Sequence, residues 1–182
     1  YERMPKGINV GGMVGHCSVR VAAMGDRAID QHHASAEDIA RMCALVEESL
    51  EGGALGFSTS RFYGHLDKAG NTVPGTDATA DEIMGIGDAL ASVGHGAMEI
   101  ISDHIDNPDE QYWIEYIARK TGRPVTMLVA SNTSEAVWDL ARRLQADGLH
   151  FRPQVGARPA SVLMSLEGTV NPMRQFQAYD EL

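Results

Sequence analysis

Basic residues are scarce in this sequence: 15 Lys and Arg stand against 25 Asp and Glu, a formal charge of -10 over 182 residues. An acidic chain of this kind argues against nucleic acid and anionic membrane as partners. Cysteine is scarcer still. Cys17 and Cys43 are the two present, too few for a disulfide framework and in keeping with a reducing cytoplasm. Cys43 falls on a helical apolar stripe and reads as a small core residue. No apolar run approaches the roughly 18 residues of a membrane span. Nor does any G-x-S-x-G elbow, Walker loop, C-x-x-C pair or H-E-x-x-H occur. Gly11-Gly12-x-x-Gly15 lacks the G-x-G-x-x-G spacing, so no dinucleotide site is expected. The chain opens Tyr1-Glu2-Arg3 rather than with methionine. We therefore expect a single α/β segment over residues 1–182, an internal piece of a longer protein.

What is present is strongly periodic. Ser35 with Asp38 forms a near capping box, followed by the stripe Ile39, Met42, Cys43, Val46 and Leu50 and a Gly52-Gly53 stop. A second helix opens at Thr79 with Glu82 three residues on, and stops at Gly94. Asn107, Pro108 and Glu110 start a third that closes at Gly122, and Thr133-Ser134 start a fourth that ends at Gly148. Between them lie short apolar runs at Ile8–Val14, Ala54–Thr59, Ala97–Ser102, Pro124–Val129 and His150–Val155. With little polar alternation they read as strands buried on both faces. Strand and helix alternate throughout, which predicts βαβ units and a parallel sheet of about five strands. The stretch from Phe62 to Ala78 is a long irregular loop of the kind that carries function or mobility.

Ligands of parallel α/β folds sit at the carboxyl ends of strands, and those ends are polar here. They read Gly15-His16-Cys17-Ser18-Val19-Arg20, Ser58-Thr59-Ser60-Arg61-Phe62-Tyr63, Ser102-Asp103-His104, Ser131-Asn132, and Gln154 to Arg158. Each has a plainer reading beside the functional one. His16, next to a helix start, fits a hydrogen-bonded structural histidine as well as a ligand. Arg20 and Arg158 fit ion pairs with the excess acids, and Ser58 and Thr59 fit turn caps.

Three stretches together resemble the amidohydrolase superfamily, in its D-aminoacylase or N-acyl-D-amino-acid deacylase branch. They are "NVGGMVGHCSVRVAAMG" (Asn9–Gly25), "EDIARMCALVEESLEGGALGFSTSRFYGH" (Glu37–His65) and "RPQVGARP" (Arg152–Pro159). The family shows V-G-H, then S/T-x-R-x-x-x-M-G, then G-A-x-G-x-S-T with a nearby Tyr, in that order. The resemblance implies part of a (β/α)8 barrel that hydrolyses the amide of N-acyl-D-amino acids with zinc. By position, His16, Arg20, Ser58, Thr59, Arg61, Tyr63 and Arg158 would shape the substrate site. Arg158 is the preferred clamp for the substrate carboxylate, with Arg20 and Arg61 as rivals.

The sequence also departs from the family. The His-x-His strand and the late Asp ligand are absent, and the middle-strand metal histidines are replaced in "AMEIISDH" and "PVTMLVASN". Glu99, Asp103 and His104 remain as metal candidates. We expect zinc in a longer parent protein and none held firmly by this chain. Two other readings stay open: an α/β module that binds a small molecule without catalysis, and a degenerate homologue. A cut barrel also exposes two sheet edges, so self-association is expected through Ile8–Val14. The His150–Val155 edge is blunted by Pro153 and Arg152.

Overall fold

The computed structural model describes residues 3–5, 7–129, 134–157, 164–168, 171, 173 and 176–180. In chain order the elements are β1 (Val14–Gly15), α1 (His16–Met24), α2 (Asp26–Ile29), α3 (Ala36–Glu51), β2 (Gly56–Arg61), α4 (Ala80–Val93), β3 (Ala97–Ser102), α5 (Pro108–Thr121), β4 (Val125–Val129), α6 (Glu135–Ala146), β5 (Phe151–Val155) and α7 (Gln177–Asp180). The strands form one sheet in the order β1-β2-β3-β4-β5. Every neighbouring pair is parallel. This is five βα units of the (β/α)8 kind, with the sheet left open because β1 and β5 do not pair.

Helix ends follow local chemistry. The Ser35 hydroxyl accepts from the Asp38 N–H and the Asp38 carboxylate accepts from the Ser35 N–H, a complete capping box for α3. Gly94 and Gly122 close α4 and α5 in the left-handed conformation. On α3, Met42, Val46 and Leu50 are fully buried, while Ile39 and Cys43 pack half-buried against the same core. Burying each large side chain contributes about 1.5–3 kcal/mol.

Two expectations need correction. The strands are not buried on both faces. Phe57, Thr59, Met98, Ile100, Val125, Met127 and Phe151 are buried, while their alternates Ser58, Ser60, Glu99, Thr126, Leu128 and Arg152 are half-buried or exposed. Right-handed crossovers that always step in one direction put every helix on the same side. The other face, which a closed barrel would turn inward, is open.

The first strand is also much shorter than Ile8–Val14. Only Val14–Gly15 pairs with β2, and Ile8 and Val10 are 78% and 54% exposed. Gly11 and Gly12 weaken the strand, and a single bond, from Leu55 N–H to the Gly12 carbonyl at 2.9 Å, holds that stretch to the next strand.

Besides the four-residue α2 and α7, helix α1 escaped the periodicity. In α1 the buried positions include His16 and Arg20 alongside Val19, Ala23 and Met24. Polar residues at i and i+4 on the inner face erase the apolar stripe.

Candidate functional site

The polar run Ser58-Thr59-Ser60-Arg61 lies inside β2 rather than after it, so its members alternate between faces. Ser58 and Ser60 face the open side. Thr59 and Arg61 turn toward the helices, and each meets a buried cluster there.

The first cluster joins three elements. His16 Nδ1 lies 2.8 Å from Thr59 Oγ1, and His16 Nε2 lies 2.7 Å from Glu82 Oε1. The same carboxylate oxygen accepts from Arg20 Nε at 2.8 Å, while Arg20 Nη2 donates to the His32 carbonyl at 2.7 Å. His16 and Arg20 are 2% exposed, Thr59 4% and Glu82 0%. Burial holds His16 below the ordinary histidine value despite the Glu82 carboxylate. Burial pushes Glu82 up, but its bonds to His16 and Arg20 outweigh that, and the net shift is downward. Glu82 Oε2 meets no donor among the described residues.

The second cluster centres on Glu110. It accepts from Arg61 Nε at 2.9 and 3.0 Å, from Trp113 Nε1 at 2.9 Å, and from the Ser102 hydroxyl. Arg61 Nη1 also donates to the Ala78 carbonyl at 2.7 Å. Both glutamates stand at the third position of their helices, where sequence reading gives them capping roles. Their side chains instead reach inward to arginines. Thr79 and Asn107 still cap with their own side chains.

Above these clusters, on the open face, lies a cavity of about 510 Å³. Its walls include Gly15, His16 and Cys17 from the first βα turn, Ser58, Thr59 and Ser60 from β2, and Glu99, Ile100 and Ile101 from β3. His65, Val73 and Pro74 of the long loop close one side, and Leu128 of β4 lies opposite. The loop is ordered by a Leu66–Thr72 bridge and by the Asp67 carboxylate, which accepts from the Ala69 and Asn71 N–H groups. Gly75 and Thr76 are tucked inside. Ser60 Oγ and His65 Nδ1, 2.6 Å apart, form a solvent-side hydroxyl–imidazole pair.

Of the residues singled out in the sequence, the structure brings His16, Ser58, Thr59 and Glu99 to the cavity wall. Arg20 and Arg61 lie behind it in the two ion-paired clusters. Tyr63 is 48% exposed. Its ring stands edge-on to His104 at 5.2 Å and its hydroxyl donates to Asp77 Oδ1 at 3.2 Å. Asp103 accepts from the Tyr63 N–H at 3.0 Å. Arg158, Ser131 and Asn132 lie outside the described residues. Glu99, Asp103 and His104 do not converge: among the described residues no three His, Cys, Asp or Glu side chains gather as a metal site. The described residues therefore do not fit zinc. Sequence reading gave Glu82 and Glu110 only capping roles, because each acts through a partner distant in the chain.

Among the described residues no helix is long and apolar enough to cross a membrane. No family model and no solved structure matches the chain significantly. Three curated proteins of Alcaligenes xylosoxydans xylosoxydans do. A D-aminoacylase is 37% identical over 90 residues, 50% of this chain and 16% of that protein. An N-acyl-D-aspartate deacylase is 37% identical over 82 residues, 45% of the chain and 14% of its own length. An N-acyl-D-glutamate deacylase is 35% identical over 100 residues, 55% of the chain and 17% of its own length. The matched stretches thus span about a sixth of each relative. Over about half of its length, the chain is thus similar to D-aminoacylases and N-acyl-D-amino-acid deacylases.

Proposed function

We propose that this chain is a single α/β segment of the catalytic barrel of a hydrolase that cleaves the amide of N-acyl-D-amino acids, working in the cytoplasm. The observation that carries the reading is the cavity on the open face, at the carboxyl ends of β1, β2 and β3. Its volume falls within the roughly 300–1,000 Å³ of small-molecule sites. Ser58 and Ser60 offer hydroxyls to an amide, and Val73, Pro74, Ile101 and Leu128 offer apolar surface to an acyl group or side chain. Glu99 supplies a carboxylate within the same space. Arg158 is our proposed clamp for the substrate carboxylate, through a bidentate pair.

The resemblance implies zinc, but the described residues bring no three-ligand set together. Our reading therefore gives this chain substrate positioning and assigns metal ligation to residues outside it. The same observation favours a second reading, a module that binds the acyl amino acid without turning it over.

The test is hydrolysis of N-acetyl-D-methionine against its L-enantiomer, by the 182-residue chain and by the longer product of its reading frame. Turnover of the D-form by the longer product alone supports the proposal. Binding without turnover by both supports the second reading, and neither binding nor turnover overturns both. We further propose that the 182-residue chain self-associates through its exposed sheet edge at residues 8–14, where Ile8 and Val10 are 78% and 54% exposed.

A further inference from the structure

Sequence reading gives Glu82 only a capping role, yet it is the most deeply buried charge in the cluster behind the cavity. We propose that Glu82 is a positioning residue: it fixes His16 as the neutral Nε2–H tautomer, so that His16 holds the Thr59 hydroxyl and seats the Gly75 backbone as one wall of the cavity. The proposal rests on the reading that this cavity takes the substrate.

The bonding leaves one arrangement. An ionised carboxylate only accepts, so the proton between His16 Nε2 and Glu82 Oε1 belongs to the imidazole. Arg20, 2.8 Å from the same oxygen, already supplies the full positive charge that a buried carboxylate needs. A second cation on His16 would be unbalanced, with Arg20 and Arg61 both near enough to oppose it. His16 is therefore neutral, and its Nδ1 carries a lone pair rather than a proton. Thr59 Oγ1, 2.8 Å away, must donate to it.

The consequence reaches the loop. A Cβ on Gly75, whose φ is +102°, would lie 2.8 Å from His16 Nδ1. The loop backbone is thus packed onto the ring that Glu82 orients. Next to Gly75, Val73 and Pro74 line the cavity. One carboxylate on α4 thereby holds the α1 start, the β2 end and the loop in register. The distances mimic a hydroxyl–imidazole–carboxylate relay, but Thr59 is 4% exposed and both ring nitrogens are engaged. The network acts through geometry and not as a nucleophile.

The test is 15N NMR of histidine-labelled 182-residue chain, with the longer product assayed in parallel. Between about pH 8 and about pH 6, His16 should show a protonated Nε2 and a bare Nδ1. Thr59→Val should leave that tautomer unchanged, because Glu82 sets it. Glu82→Gln, whose amide can accept or donate, should yield a mixture of both tautomers. In the longer product Glu82→Gln should lower kcat about tenfold or more while KM moves little. A protonated Nδ1 at neutral pH, or a tautomer switch in Thr59→Val, overturns the proposal even where Glu82→Gln fails to fold. An unchanged kcat with a scrambled tautomer removes the positioning role. If the longer product turns over no N-acyl-D-amino acid, the functional reading and the catalytic role of Glu82 fall together, while the NMR result separately decides the tautomer.

Discussion

Arg61 Nε faces both carboxylate oxygens of Glu110, at 2.9 and 3.0 Å, so the end of β2 is bolted to the first turn of α5. The pair is nearly dry, with side chains 12% and 3% exposed. A guanidinium that the sequence offers as a rival substrate clamp is committed to holding the frame behind the cavity.

Breaking that pair from one side should be severe. Glu110→Ala leaves Arg61, the Trp113 N–H and the Ser102 hydroxyl without their acceptor. Loss of one partner of a buried pair costs about 3–5 kcal/mol. Urea unfolding of the variant measures it, and a cost under about 1 kcal/mol, the worth of an exposed pair, would contradict the role given to Glu110.

Two loop glycines separate strain from contact. Gly70 and Gly75 both have positive φ, at +89° and +102°, but a Cβ on Gly70 meets nothing within 4 Å while one on Gly75 meets the His16 ring. Gly70→Ala should cost about 1 kcal/mol from backbone strain. Gly75→Ala should cost at least about 1 kcal/mol more, because the ring is held by Thr59 and Glu82 and cannot give way. Equal losses in the two variants would show that the loop does not rest on the ring.

Stability should fall on mild acidification. His16 is held below its ordinary value of 6.5 by burial, so the unfolded chain binds that proton more readily than the folded one. The stabilisation is fully present above about pH 6.5 and is lost as pH drops from there toward the folded value. Glu82, held below 4.5 through His16 and Arg20 against its desolvation, gives up its share at lower pH. Asp38, held far below its ordinary 3.8 by Arg27 and then by the Ser35 N–H, gives up its share last. Urea midpoints at about pH 7.5, 6.5 and 5.5 test the first step. A midpoint that rises over that interval would refute a neutral, buried His16.

Self-association has a direct readout. Light scattering over a concentration series should show a dimer or larger species burying about 1,000 Å² or more in total. Val10→Lys should shift it toward monomer by placing a charge on the exposed 8–14 edge. A monomer at all concentrations removes the proposal.

The sequence by itself determined the helices α3 to α6, because caps at Ser35, Thr79, Asn107 and Ser134 and the glycine stops are local chemistry that needs no partner. It also determined the parallel alternation, and it put His16, Ser58 and Thr59 among the residues to watch, since strand ends are where such folds bind. Tertiary structure alone decided which way those side chains face. A one-residue step along β2 turns Ser58 to the open face and sends the Thr59 hydroxyl to His16, and no composition or spacing carries that sign. The same holds for Glu82 and Glu110. Their position in a helix's first turn is a local fact that suggests capping, whereas their pairing with Arg20 and Arg61 exists only once residues 62 and 49 apart in the chain are packed together. Buried charge is stable only beside its partner, and the partner is chosen by the fold.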